Sequence, residues 1–276
     1  GKKINFFHSR LKIIDPDLKS NQPMKDEQGI LIFNGMIYNY IEIKKKLKKK
    51  KILFKTKSDT EVLLKFLNFY GPKKLHLLDG MWSFAYYNFK NKSLIVSRDK
   101  FGEKPLYYHH DKNNFYFGSN LNYILTLCSS SFKINYKKIF LYLRYSFKSL
   151  FIDNETFFKN INSLDPGSYI ILEKNKNLKI KKFWSLKDIK EKKFSYQKHL
   201  KIIKKEINHI LKTRLRSNFP VACSLSGGVD SSGIVSFINK KLNKKIPCFS
   251  VKAKEKNFNE KENILKVVNE NKLNHS

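Results

Sequence analysis

The sequence predicts two successive architectures: an α+β domain of antiparallel sheets packed with helices, then the start of an α/β domain built on a parallel sheet. Three observations carry this. Alternating apolar and polar runs such as GILIFNG, MWSFAYY and SLIVSRD, separated by the turn-like clusters NFKNK, HHDKNN and EKNKN, predict strands joined as hairpins up to about residue 182. From about residue 195 the texture changes to a long amphipathic helix followed by strand, Gly-rich turn, helix, strand and helix, the βαβ order of a parallel sheet. With 276 residues, 41% hydrophobic and 14% aromatic, the chain can build two cores of ordinary size.

Taken in order, GILIFNG is the first long strand, and IEIKKKLKKK and SDTEVLLKFLNFYG are helices. In the second helix Ser58 and Glu61 have the spacing of a capping box, and Gly71 stops it. Few other helices are expected before residue 182. The boundary falls between Trp184 and Ser195, giving domains at 1–190 and 195–276. In the helix at 196–217, Ile202, Ile203, Ile207, Ile210, Leu211 and Leu215 are spaced for one face. Val221, Ala222 and Leu225 then mark a short buried strand. SGIVSFINKKL reads as a helix with Ile234, Val235 and Ile238 on its apolar face, followed by the strand IPCFSV and the helix EKENILKVVNENKL. No internal repeat is visible.

The net charge of +33 tests for polyanion binding. The lysines are spread along the chain, in runs such as KKKLKKKK and KDIKEKK, with no interleaved aromatics and no reading motif. Abundant Asn, Ile, Phe and Tyr point instead to AT-rich coding bias at tolerant surface positions, so no specific nucleic-acid partner is expected. No apolar run has the length of a membrane span, and GKKINFFHSR lacks a signal-peptide segment, so no membrane partner is expected either. The three cysteines, Cys128, Cys223 and Cys248, have no CxxC spacing and suit free thiols in a reducing cytoplasm. The seven histidines form no ligand pattern; His109-His110 reads as a solvated pair in a hairpin.

The stretch SLSGGVDSS, residues 224–232, lies between the predicted strand and helix. Glycines there let the backbone approach a ligand, and the first helical N–H groups point outward unsatisfied, which makes an anion site. The lysine of the common nucleotide loop GxxxxGK[ST] is missing. A tight turn capped by Ser231 or Asp230 is the bland alternative. SGGVDSS resembles the pyrophosphate loop of the ATP pyrophosphatases, and RLRSNFPVACSL before it resembles their asparagine synthetase branch. The resemblance implies a Rossmann-like parallel sheet in which Ser226, Gly227, Gly228, Ser231 and Ser232 hold the ATP phosphates. It further implies that Asp230 coordinates Mg2+ and that Leu225 and Val251 contact the nucleotide.

FHSRLKIID, FNGMIYNY, TKSDTEVLL and LLDGMWSFAYYNFKNKSLIVSRDKFGEKPLYY together resemble the glutamine amidotransferase domain of asparagine synthetases, an N-terminal nucleophile hydrolase-like sandwich. In that family an N-terminal cysteine attacks the glutamine amide, and the ammonia released reaches an adenylated aspartate in the second domain. The resemblance implies that Arg10 pairs with the glutamine α-carboxylate. It gives Asn34 and Gly35 the oxyanion hole and Asp59 the substrate ammonium, and it makes Arg98, Asp99, Lys104 and Pro105 scaffolding. Read singly, Arg10 could be a surface cation, Asn34-Gly35 a hairpin turn and Asp59 a helix-dipole partner. Two departures stand out: Met36 where the family has Glu, and Asn259 where it has Asp.

The implied reaction is glutamine-dependent: ATP, aspartate and glutamine give asparagine, AMP, pyrophosphate and glutamate, a ligase step in amino-acid biosynthesis with small-molecule partners. The nucleophilic cysteine is absent and the second domain is short, so the chain is expected to be an internal piece, inactive alone. A homodimer stays open. Two other readings also stay open: amidation of another carboxylate, on a cell-surface sugar or a peptide, and a non-catalytic basic binding paralogue.

Overall fold

The computed structural model describes residues 4–128, 131–173, 177–251 and 260–276. Asn259 lies outside them. The chain divides into two compact units, Gly1–Lys190 and Glu191–Ser276.

In the first unit the elements run β1 (Met24–Lys25), β2 (Gly29–Ile37), α1 (Tyr40–Lys49), α2 (Asp59–Tyr70), β3 (Gly80–Asn88), β4 (Ser93–Arg98), β5 (Tyr107–His110) and β6 (Phe115–Gly118). They continue with α3 (Leu121–Leu127), α4 (Tyr136–Tyr145), β7 (Asn162–Ser163), β8 (Ser168–Leu172) and β9 (Leu178–Lys182). Six strands form one sheet in the order β1-β2-β3-β4-β8-β9, antiparallel throughout, and β6-β5-β7 form a second antiparallel sheet.

Period-two alternation divides the residues between two cores. Leu31, Phe33, Trp82, Phe84, Tyr86 and Ile95 pack with Ile43 and Leu47 of α1 and Val62, Leu63, Phe66 and Leu67 of α2. Ala85, Leu94, Val96 and Ile170 pack on Leu106, Leu164 and the half-buried Tyr108, Phe115 and Phe117 of the second sheet. The layers are therefore helices, six-stranded sheet, three-stranded sheet. In α1, Ile43 and Leu47 face the core one turn apart, which leaves Lys45, Lys46, Lys48 and Lys49 exposed, while the half-buried Lys44 donates to the Thr56 carbonyl. Lys46, Lys48 and Lys49 in its last turn also complement the helix dipole.

Several expectations are corrected. The Ser58 hydroxyl does cap α2 by accepting the Glu61 N–H at 3.1 Å, but Glu61 does not return the bond to Ser58. Its carboxylate accepts the Lys55 and Thr56 N–H groups instead, at 2.8 and 2.6 Å. Helices α3 and α4 were not anticipated. Helix α4 escapes the pattern because its buried residue is Lys138, bound to Asp153 and the Ser149 carbonyl, while Phe140, Tyr142 and Leu143 are exposed. His109 is buried, not solvated; His110 beside it is exposed.

The second unit holds α5 (Tyr196–Arg214), β10 (Cys223–Ser224), α6 (Val229–Leu242), β11 (Cys248–Phe249) and α7 (Lys261–Asn271). Strands β10 and β11 pair in parallel, with α6 as the crossover. The C-terminal residues add to the far edge of β11: Cys248 N–H donates to the Asn274 carbonyl and Ser250 N–H to that of Ser276. Leu225, Val235, Cys248 and Ile264 form the core. Of the strand marked by Val221, Ala222 and Leu225 only Leu225 is buried, and Ile234 on α6 is exposed. On α5, Ile202, Ile203, Ile207 and Ile210 are exposed, and Leu211 is the buried residue of that stripe. No described helix is long and apolar enough to cross a membrane.

Candidate active sites of the two units

The residues assigned to glutamine chemistry converge on the C-terminal half of β2. Asn34 and Gly35 are strand residues opposite Ser83 and Trp82, which removes the hairpin-turn alternative. Gly35 has φ +150, and a Cβ there would strike the Met81 carbonyl and lie 2.8 Å from Trp82 Cα. Only glycine fits this close approach of β3. The Asn34 side-chain amide donates to Ser119 Oγ at 3.2 Å, and Ser119 also touches Ser83 Oγ at 3.4 Å. That aims the amide along the same face of the sheet, with one more N–H on its nitrogen for a ligand.

Asp59, at the first position of α2, is 5% exposed and accepts the Ile37 N–H at 3.0 Å. Burial pushes its carboxyl up to about 6, against the pull of backbone N–H groups and the Arg10 charge. Asp59 therefore joins the helix N-terminus to the end of β2 and presents little surface. Arg10 is used by its own loop: Nη1 donates to the Asp17 carbonyl and Asn21 Oδ1, and Nη2 to the Ile14 and Asp15 carbonyls, at 2.6 to 3.3 Å. Met36 is buried against Ile14 and Tyr38, so an apolar side chain fits the place where a carboxylate was expected.

Other residues that hold this site gave no signal in the sequence. Gln22 exchanges both amide bonds with the backbone of Phe33, donating at 3.0 Å and accepting at 2.5 Å, and so extends the β1 edge by a side chain. The His8 ring contacts the Phe33 carbonyl at 3.0 Å through Nε2, and its buried Nδ1 has no partner among the described residues. Burial lowers the His8 pKa, with Arg10 adding to the effect. Asp15 accepts the Lys57 N–H at 2.7 Å and so ties the Arg10 loop to the start of α2. The RDKFGEKP segment is scaffolding: buried Asp99 accepts the N–H groups of Trp82, Phe101, Glu103 and Lys104. Beside it, Arg98 donates to the Gly102, Lys104 and Leu164 carbonyls and to Ser163 Oγ.

In the second unit the Gly-rich loop lies at the C-terminal ends of two parallel strands, where open α/β sheets bind ligands. Gly227 has φ +82, and a Cβ would stand 3.1 Å from Ile264, so the turn needs glycine. The cap of α6 is Gly228, neither Ser231 nor Asp230, and no side chain caps its first turn. Ser226 and Ser231 bond to each other at 3.0 Å, Ser232 Oγ is buried without a partner among the described residues, and Asp230 is exposed. An uncapped helix start beside an orphan hydroxyl suits phosphate oxygens. Leu225 is fully buried in the core, whereas Val251 is exposed. Ser250 Oγ donates to the Leu225 carbonyl at 2.6 Å and meets His275 Nε2 at 2.8 Å, a pair the sequence did not mark.

Residues 1–184 match the family described as glutamine amidotransferase domain, and residues 203–276 match the family described as asparagine synthase. An asparagine synthetase [glutamine-hydrolyzing] 1 of Bacillus subtilis is 32% identical over 259 residues, 93% of this chain and 40% of that protein. A Gibberella zeae protein named amidase chry2 is 29% identical over 241 residues, 84% of this chain and 34% of its own length. The chain thus spans about two fifths or less of the length of these relatives. Among solved structures, a glutamine phosphoribosylpyrophosphate amidotransferase of B. subtilis matches with a TM-score of 0.42 at 16% identity, over 86% of this chain and 50% of that one.

Proposed function

Because the chain belongs to the glutamine amidotransferase domain family, we propose that it serves a glutamine-dependent, ATP-driven amidation and that the acceptor is aspartate, the product asparagine. The observation that carries the reading is the phosphate-loop geometry of the second unit: Gly227 at positive φ under the uncapped N-terminus of α6. The B. subtilis relative's name supports the acceptor.

In this reading the α6 N–H groups with Ser226, Ser231 and Ser232 bind the ATP phosphates, and Asp230, exposed in the first turn, holds Mg2+. Bound ATP supplies the leaving group that activates the acceptor carboxylate as an adenylate. In the first unit, Asn34 Nδ2 and the Gly35 N–H donate to the oxygen of the glutamine amide as it gains charge. Such donors are worth a factor of about 100 to 1,000 each. Asp59 opposes the substrate ammonium, and a cation there offsets the cost of a buried charge. Arg10 fixes the loop bordering the site, and its carboxylate-binding role requires a substrate to replace some of the carbonyls it now holds.

Asp230→Ala in the intact protein tests the assignment. ATP-dependent asparagine formation is expected to vanish while glutamine hydrolysis remains. Retained synthesis in that variant would remove the loop from the mechanism.

A further inference from the structure

We propose that the first unit carries a zinc-class metal site made by His109, Asp111 and Cys128. One ligand atom from each of the three lies within 4.8 Å of the other two. They come from separate places: His109 from β5, Asp111 from the turn to β6, and Cys128 from the C-terminal cap of α3. The fold brings together what the sequence spacing does not announce.

The surroundings are those of ligands. His109 Nδ1 lies 2.8 Å from the Asn160 carbonyl, which can only accept, so Nδ1 carries the proton and Nε2 is left with the lone pair. A histidine oriented through its second nitrogen by a carbonyl is the usual second partner of a metal-bound imidazole. Asn160 has φ +66, a conformation that asparagine tolerates better than most residues. The ring is fixed by Tyr116, stacked at 6.1 Å, and by Phe132, edge-on at 4.9 Å. His109 and Cys128 are buried.

Asp111 Oδ1 accepts the Asn113 and Asn114 N–H groups at 2.7 and 2.6 Å, which holds the carboxylate in place in the turn and keeps coordination capacity on the group. A core histidine needs neither a thiol nor a carboxylate within 4.8 Å of a ring nitrogen, yet His109 has both. One sulfur, one imidazole and one carboxylate, with a fourth position left for water, suit Zn2+ and its mimic Co2+. Metal bonds of ordinary length require the ligand atoms to close to about 3.5 Å from one another. Bound metal would clamp the β5–β6 hairpin to the end of α3, and none of the residues assigned to amide transfer takes part.

Co2+ titration of the reduced protein tests the site. One equivalent is expected to bind with near-ultraviolet thiolate-to-cobalt absorption and to leave when Zn2+ is added. The absorption should be lost in Cys128→Ser and His109→Gln, weakened in affinity by at least about tenfold in Asp111→Asn, the lower bound being the cost of losing even an outer-shell partner, and kept in the double variant Cys223→Ser, Cys248→Ser. If Cys128→Ser does not fold, mass mapping of thiol alkylation replaces it, with Zn2+ expected to protect Cys128 and not Cys223. Absorption that is absent from the folded wild type overturns the proposal, as does absorption that follows Cys223 and Cys248 or alkylation of Cys128 unaffected by Zn2+.

Discussion

Asp59 shows how one residue links stability to the site. Its carboxyl keeps a proton up to about pH 6 when folded, whereas unfolded it would lose it near 4. Between those values the folded state binds more protons, so stability falls as pH rises from about 4 to about 6 and is level above. The size is about 3 kcal/mol, set by roughly two pH units at 1.36 kcal/mol each. Other carboxyls run the other way. Asp15 is held below the ordinary range despite burial, by the Ser20 hydroxyl and the Lys57 N–H, so its contribution is lost as pH falls. The measurement is therefore a difference: urea midpoints of wild type and Asp59→Asn from pH 4 to 7. The variant should gain on the wild type as pH rises through 5, since the asparagine carbonyl can still accept the Ile37 N–H. A difference that stays constant over that range would mean that Asp59 is not held protonated.

At the scale of elements, legibility followed burial. The long strands β2, β3 and β4 and the helices α1 and α2 were readable because each buries apolar residues at its own period, such as Trp82, Phe84 and Tyr86 or Ile43 and Leu47. The βαβ succession around the Gly-rich loop was readable for its glycines and the helix after it. Helix α4 inverts the pattern, with a lysine inside and aromatics outside, and no periodicity argument recovers it. Nor could spacing show that Gln22 stands in for a strand or that His109 meets Cys128, because those contacts join distant parts of the chain. Stability should divide the same way. Phe66→Ala in α2 empties a fully buried position and is expected to cost about 3 to 5 kcal/mol. Phe140→Ala in α4, at an exposed aromatic, should stay within about 0.5 kcal/mol. Equal losses in chemical denaturation would mean that α4 packs its aromatic face as tightly as α2.

For the whole molecule the dominant physical fact is a charge of +33 on 276 residues. With 23 Asp and Glu against 56 Lys and Arg, carboxylates can offset fewer than half of the cations. The remaining positive charges repel one another over distances comparable to the Debye length, about 10 Å at 0.1 M salt and 30 Å at 0.01 M. Folding brings these charges closer together than the unfolded chain does, so dilute salt should destabilise the native state. The thermal midpoint is expected to rise by several degrees between about 0.01 and 0.3 M sodium chloride, the scale that a change of 1 to 2 kcal/mol produces in a chain of this size. Chloride and the weakly hydrated anion perchlorate should act alike at low concentration if screening is the cause. A midpoint that falls with salt would show instead that attractive pairs such as Lys65–Asp26 and Lys138–Asp153 outweigh the repulsion. The same charge gives any polyanion a nonspecific hold on the surface, and that hold must weaken steeply with salt. The ATP binding proposed for the Gly-rich loop, which would rest on backbone N–H groups and hydroxyls, should weaken much less over the same range, so salt dependence separates the proposed site from the surface around it.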